Sequence, residues 1–284
     1  HMKYEEQLLQ KQFIVEESFQ RYFEKQPRKL VIEPTIGMEN PWGYRNKSQL
    51  PTRHNGDAVV VGMYQKNSNR LVYIDECMVE NNAINQHRKV VLEHLTRERI
   101  DVYNPRFKNG SLTHLVIRAF PETEDLQVTA IARREDRQLY GALKSLRHTP
   151  SVNISIQPDD DAIEIFGPTV TNISGKKQIQ GKLDSLSFQI SPEAFFQLNT
   201  TQMKKLYEVV TEYGNFKPTD TVLDGYCGIG SIGMYISRQV KEVRGIDNNE
   251  KGIADANTFA KSNAIGNANF YAGNILPYLT QWEK

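Results

Sequence analysis

Residues 220–233 read DTVLDGYCGIGSIG. A β-branched strand, TVLD, runs into glycines at Gly228, Gly230 and Gly233, and a helix is predicted from about Ser231. Strand EVRGID (242–247), a helix over 250–263 and strand NFYAG (269–273) follow with turns of a few residues. That order is β-α-β-α-β, the start of a doubly wound parallel sheet, because parallel neighbours need a crossover helix between them. Met203, Leu206, Tyr207 and Val210 mark one further helix ahead of it, ending at Gly214. A sheet of this class normally carries more than three strands, so the missing ones are expected beyond Lys284.

Upstream the texture differs. Residues 4–23 predict an amphipathic helix with Leu9, Phe13 and Phe19/Phe23 as its apolar groups, stopped at Gln26-Pro27. Strands are predicted at 57–64, 70–74, 113–120, 126–132, 152–157, 162–166, 178–183 and 186–190, with two helices near 82–98 and 136–147. Strands in groups with few helices indicate an α+β domain. The expected organisation is a helix over 1–28, a central α+β domain over 29–187, and the first part of a Rossmann-like α/β domain over 188–284.

The chain has 284 residues, 39% hydrophobic and 24% charged, enough for domains with real cores. Its net charge of +1 means that any nucleic-acid contact must come from a local patch. No apolar run approaches the roughly 18 residues that span a bilayer, so no membrane and a cytoplasmic address are expected. Cys77 and Cys227 form no paired motif and are expected as reduced thiols. His1-Met2 reads as a cloning remnant, and the chain as a fragment of a longer protein.

The glycine turn alone leaves the cofactor open, because dinucleotide and methyl-donor enzymes share it. In both, glycines let a ligand approach the backbone. Asp224 shifts the balance: a carboxylate beside the turn suits the sulfonium and ammonium of S-adenosylmethionine and opposes a pyrophosphate. Asp247, 23 residues on, can accept ribose hydroxyls in either class. Asn274, after the third strand, can bond an adenine or ribose edge.

Two segments together resemble the RNA uracil-5-methyltransferases, particularly the bacterial enzymes that make 5-methyluridine in 23S rRNA. They are SPEAFFQLNTTQMKKLYEVV (191–210), similar to the family's Ser-Pro-x-x-Phe-Phe-Gln-x-Asn, and VLDGYCGIGSIGMYI (222–236), similar to its Asp-x-Tyr/Phe-Cys-Gly-x-Gly loop. NPWGYRNKSQL (40–50) resembles the family's central-domain segment. The resemblance implies a Rossmann-like S-adenosylmethionine-dependent methyltransferase domain on which the helix of residues 1–28 packs, with cofactor contacts from Gln197, Tyr226, Asp247 and Asn274 and from Ser231 in the loop. With Asp224, Gly228 and Gly230 these make the candidate cofactor set. Gln197 also reads as a helix-start cap, Tyr226 as packing, and Phe195 and Phe196 as core.

The resemblance also implies chemistry that this sequence does not carry. The family's cysteine thiolate adds to uracil C6, which makes C5 nucleophilic, and a carboxylate later removes the C5 proton. Its Ser-Cys-Asn-Pro-like and Asp-Pro-Pro-Arg-like segments are not found in residues 1–284. The fragment is therefore expected to be inactive and at best a weak cofactor binder, with no catalytic residue of its own. Cys227 belongs to the cofactor loop. Cys77, in VYIDECMVE, resembles the last cysteine of a four-cysteine site, so a 4Fe-4S cluster is implied for the full-length protein and not for this chain. His87 and His94 read as helix-surface or core residues. RNA, above all 23S rRNA, is the implied partner, through Arg45, Lys47, Arg133, Arg134 and Arg137 with Tyr44 or Tyr140 for stacking. The target base would be flipped into a cleft between the domains. A monomer is expected. A tRNA uracil-5-methyltransferase, an RNA-binding module without catalysis, and an NAD- or FAD-dependent oxidoreductase stay open.

Overall fold

The computed structural model describes residues 2–23, 31–120 and 122–282. They fall into two compact units, His1–Trp42 and Gly43–Lys284. In the first, helix α1 (Tyr4–Phe23) has Glu5 and Glu6 in its first turn and Arg21 in its last, matching the helix dipole. The stretch after residue 31 runs back along it: the Thr35 hydroxyl donates to the Leu8 carbonyl at 3.0 Å and the Met38 amide to the Tyr4 hydroxyl at 2.8 Å. Tyr4 and Leu8 take these contacts, whereas the expected apolar face, Leu9, Phe13, Phe19 and Phe23, is exposed.

The second unit opens with strands β1 (Lys47–Asn55), β2 (Ala58–Tyr64) and β3 (Leu71–Tyr73) and helix α2 (Asn82–Arg97). Then come β4 (Leu112–Phe120), β5 (Asp125–Ala132), α3 (Arg137–Ser145), β6 (Ser151–Ile156) and β7 (Thr169–Gly175). They build a seven-stranded sheet in the order β3-β2-β1-β4-β5-β6-β7, antiparallel except where β5 meets β6. The parallel pair follows from α3, the crossover between them. Its helix starts cleanly because the Asp136 carboxylate accepts the Gln138 and Leu139 amides. One sheet face packs Leu50, Val61, Leu115 and Val128 against Ile84, Val91, Leu95, Leu139 and Leu143 of the two helices. The other carries a row of Gln49, Thr129, Asn153 and Asn172 in cross-strand register, interrupted by Val116.

Three departures from sequence expectation have local causes. β1 is an unexpected strand because it contains Pro51, and the structure accommodates it where the strand changes partner: Lys47–Pro51 pair with β4, Thr52–Asn55 with β2. AIEIF (162–166) is a loop, with Ile163 wholly exposed. The strand lies just beyond it, in the polar TVTNISG of β7.

A hairpin, β8 (Ile179–Leu183) and β9 (Leu186–Ile190), leads to α4 (Thr200–Gly214). Next stand β10 (Thr221–Gly225), α5 (Ser231–Ile236), β11 (Glu242–Asp247), α6 (Glu250–Ser262), β12 (Ala268–Ala272) and α7 (Ile275–Trp282). β10, β11 and β12 form a parallel sheet in that order, the expected Rossmann-like topology. The expected helix from Ser231 is short, giving way to a 3-10 turn at Ser237–Gln239. A second core of Phe188, Phe196, Tyr207, Val243, Phe259 and Phe270 holds this half together, and Phe120 at the end of β4 belongs to it.

Candidate functional site

Parallel pairing sets Asp224 beside Gly245, and Gly225 beside Ile246, so Asp224 and Asp247 stand at the C-terminal ends of adjacent strands. Open α/β sheets place ligands at these ends. The turn between them is stitched down. The Cys227 amide donates to the Ile246 carbonyl at 3.0 Å and the Gly230 amide to the Cys227 carbonyl at 2.8 Å. Asp247 Oδ2 accepts the Gly228 amide at 2.9 Å and its Oδ1 the Asn249 amide at 2.8 Å. Asp224 Oδ2 accepts the Gly233 amide at 2.9 Å. Both acids thus shape the loop, and their remaining lone pairs are what a ligand can use.

Three turn residues adopt left-handed backbone: Tyr226 (φ 61), Gly228 (φ 56) and Gly230 (φ 71). For tyrosine this conformation is uncommon and is held by the surrounding bonds. It turns the ring outward, 78% exposed, beside the turn. The two glycines serve different ends. A Cβ on Gly228 would meet nothing within 4 Å, so its backbone faces open space; one on Gly230 would fall 2.3 Å from the Phe270 ring, so this glycine makes room for core packing.

Burial lifts the Asp224 carboxyl to about 6, opposed by the Gly233 amide and reinforced by the charge of Asp247. Neither acid forms an ion pair among the described residues. A cationic ligand supplies the missing counter-charge and a pyrophosphate does not, so the donor set fits S-adenosylmethionine. Burial, then Asp224 and Asp247, push the Cys227 thiol up to about 12, which leaves it a thiol at neutral pH.

The other candidates are placed as follows. Ser231 opens α5, and its hydroxyl lies 2.6 Å from that of the buried Tyr207. Asn274 accepts the Leu276 amide at 3.1 Å, capping α7, a helix not expected from the sequence. Gln197 is exposed, and so is Phe195 at 70%, against the expectation of a core residue; Phe196 is buried as expected. Alternation along an extended segment explains the pair, since neighbours point to opposite sides.

Arg45 and Lys47 come together at the start of β1, where Arg45 Nε donates to the Lys47 carbonyl at 2.9 Å. The Lys47 ammonium lies 5.3 Å over the Phe166 ring, and burial, with Arg118 and Arg45 nearby, pushes it down to about 8. Arg133 is engaged inside the fold: it pairs with Asp160 at 3.0 Å and donates to the carbonyls of Gln157 and Asp159. Arg134, Arg137 and Tyr140 are exposed. Lys47 pairs with Arg118 and Ala132 with Leu112, so the two basic pairs sit six residues apart along β4, roughly 20 Å. A cleft of ≈ 730 Å³ opens between the polar sheet face and the turn after β11, lined by Gln49, Phe166, Glu193, Asn248, Asn249 and Lys251.

Cys77 is held in its loop by Asn85, which accepts the Cys77 amide and donates to its carbonyl, each at 3.0 Å. Among the described residues no three His, Cys, Asp or Glu side chains gather as a metal site. The two cysteines of the sequence, Cys77 and Cys227, are fewer than the four thiolates that an iron-sulfur cluster takes.

A family model described as tRNA (Uracil-5-)-methyltransferase matches residues 3–272. The chain belongs to the tRNA (uracil-5-)-methyltransferase family. Relatives named as uncharacterized RNA methyltransferases are similar along its length: one from Bacillus anthracis at 35% identity and one from Halalkalibacterium halodurans at 36%, each covering 100% of this chain. The chain spans 62% of the length of each. The fold matches that of Pyrococcus abyssi tRNA (uracil-54, C5)-methyltransferase, solved with S-adenosyl-L-homocysteine, with a TM-score of 0.76 at 24% identity over 96% of this chain and 63% of that one. Family membership accounts for the parallel sheet and glycine turn, and no described helix is long and apolar enough to cross a membrane.

Proposed function

We propose that this chain is the methyl-donor-binding and RNA-facing part of an S-adenosylmethionine-dependent RNA (uracil-5-)-methyltransferase that makes 5-methyluridine in 23S rRNA. The observation that carries the reading is the pair of acids, Asp224 and Asp247, that have no cationic partner among the described residues and stand at the strand ends on either side of the glycine turn. Bound there, the cofactor supplies a sulfonium methyl. Asp247 accepts its ribose hydroxyls, Asp224 faces its positive end, and Tyr226 walls it. Gly228 gives it room, with Gly230 and Ser231 shaping the turn. Gln197 offers an amide to the methionine end, and Asn274 stands by the adenine or ribose edge. Arg45, Lys47 and Arg134 serve RNA phosphates, Arg133 orders its loop, and the cleft beside Asp247 receives the flipped uracil.

In the proposed reaction a thiolate adds to C6, C5 takes the methyl group, and a base removes the C5 proton so that the thiolate leaves. Neither cysteine here serves. Cys227 is a half-buried thiol under the turn, and Cys77 is assigned to a 4Fe-4S cluster of the longer protein. Acting alone, these 284 residues transfer no methyl group. We place the longer protein in the cytoplasm, as a monomer.

Calorimetric titration with S-adenosylhomocysteine and with NAD tests the site. Heat from the former alone is expected, and saturation by NAD alone contradicts the reading. Binding to a 23S rRNA fragment and to unmodified tRNA, measured side by side, tests the substrate. Preference for tRNA overturns the rRNA assignment.

A further inference from the structure

The segment Ala194–Asn199 carries Phe195 and Gln197 outward, and it is held from behind by residues of the seven-stranded sheet. Arg118, in β4, is 2% exposed, and its Nη2 donates to the Ala194 carbonyl at 2.7 Å across 76 residues of chain. Asn46, 3% exposed just before β1, donates from Nδ2 to the Gln197 carbonyl at 2.8 Å and from its backbone amide to the Leu198 carbonyl at 2.9 Å. Its own carbonyl accepts the amide of Ala119, next to Arg118, at 3.0 Å, and Arg45 bridges to Asn199. Between the two anchors Phe196 plugs into the second core, edge-on to Phe120 at 5.5 Å. Carbonyls 194, 197 and 198 and the seated Phe196 thus pin the backbone on both sides of Gln197.

Stability does not explain the arginine. Its Nε and Nη1 have no hydrogen-bond partner among the described residues. A buried guanidinium with idle donors costs more than an apolar side chain of the same length. What it does supply is a donor that reaches Ala194.

We propose that Arg118 and Asn46 are positioning residues for the methyl-donor site, acting through the backbone of Ala194–Asn199 to fix the outward Gln197 that the methyl-donor reading assigns to the cofactor. The proposal rests on the methyl-donor reading above. It means that the sheet carrying the RNA-facing Arg45 and Lys47 also sets the geometry of the donor pocket, although neither positioning residue touches the ligand.

The test is calorimetric titration of the whole chain with S-adenosylhomocysteine, in wild type, Arg118→Met, Asn46→Ala and Gln197→Ala. Each substitution is expected to weaken binding about tenfold, the size of one lost oriented hydrogen bond. Arg118→Met is expected to keep or raise Tm, because it removes idle buried donors. On the Gln197→Ala background, adding Arg118→Met or Asn46→Ala is expected to change affinity less than twofold, since both act through that side chain. Unchanged affinity in Arg118→Met and Asn46→Ala overturns the proposal. So do losses that persist in full without Gln197, which are the mark of a merely structural role. Wild type that gives no heat with S-adenosylhomocysteine refutes the methyl-donor reading itself, before any variant is compared.

Discussion

β5 buries all eight of its residues, and β10, five residues long in the same compact unit, buries none. β5 lies inside a seven-stranded sheet, between β4 and β6, with helices packed on one face. Among the described residues β10 has one strand neighbour, β11, and its Leu223 is 38% exposed. The lesson is a division of labour. The first sheet supplies stability and a rigid back for Ala194–Asn199. The second leaves its strand ends and glycine turn accessible, as a ligand site drawn from the less stable part of a fold must be.

The sharpest way to break that comparison is a matched pair of truncations. Leu115→Ala, in β4 and 2% exposed, is expected to cost about 2–5 kcal/mol in chemical denaturation, and Leu223→Ala in β10 less than about 1. Equal losses would mean that β10 is as much a core strand as β4.

A somewhat smaller effect separates the acids. The folded carboxyl of Asp224 lies near 6, above its ordinary 3.8, so the folded chain holds a proton that the unfolded chain has released between those values. Stability of the ligand-free chain should therefore fall as pH rises from about 4 to about 6, by up to about 3 kcal/mol. Asp224→Asn should remove that slope in a series of denaturation curves. A slope unchanged by the substitution would assign the titration elsewhere.

Cysteine labelling comes next. With its thiol lifted to about 12, Cys227 should react with iodoacetamide at pH 8 roughly a hundredfold or more slower than an ordinary thiol, read by mass spectrometry. Rapid labelling would contradict its place under the turn. The smallest effect concerns RNA: Arg134→Ala should weaken binding to a 23S rRNA fragment several-fold, more than Arg133→Ala, whose side chain is already engaged by Asp160. The reverse order would make Arg133 the contact.

The parallel half was legible because its signals are local: strand, glycines, helix, and an acid at each strand end. The seven-stranded sheet was harder where tertiary context overrides composition. Pro51 hides β1 until its change of partner is seen, and apolar AIEIF reads as a strand although β6 pairs with polar TVTNISG beyond it. Gly167 marks where the returning chain meets β6: a Cβ there would lie 1.6 Å from the Ile156 carbonyl, so the two backbones come together closely at that point. In the site, the acids and glycines could be read from spacing. The outward Phe195 and the buried holding residues Asn46 and Arg118 could not, because their partners lie 76 to 151 residues away along the chain.

The central claim is that the turn between Asp224 and Asp247 binds a methyl donor. The direct measurement is the heat of S-adenosylhomocysteine binding to the wild-type chain and to Asp247→Ala. Saturable binding that weakens at least tenfold in the variant is the expected result, from loss of a ribose acceptor and of the anchor for the Gly228 amide. Binding that the substitution leaves unchanged would contradict the account.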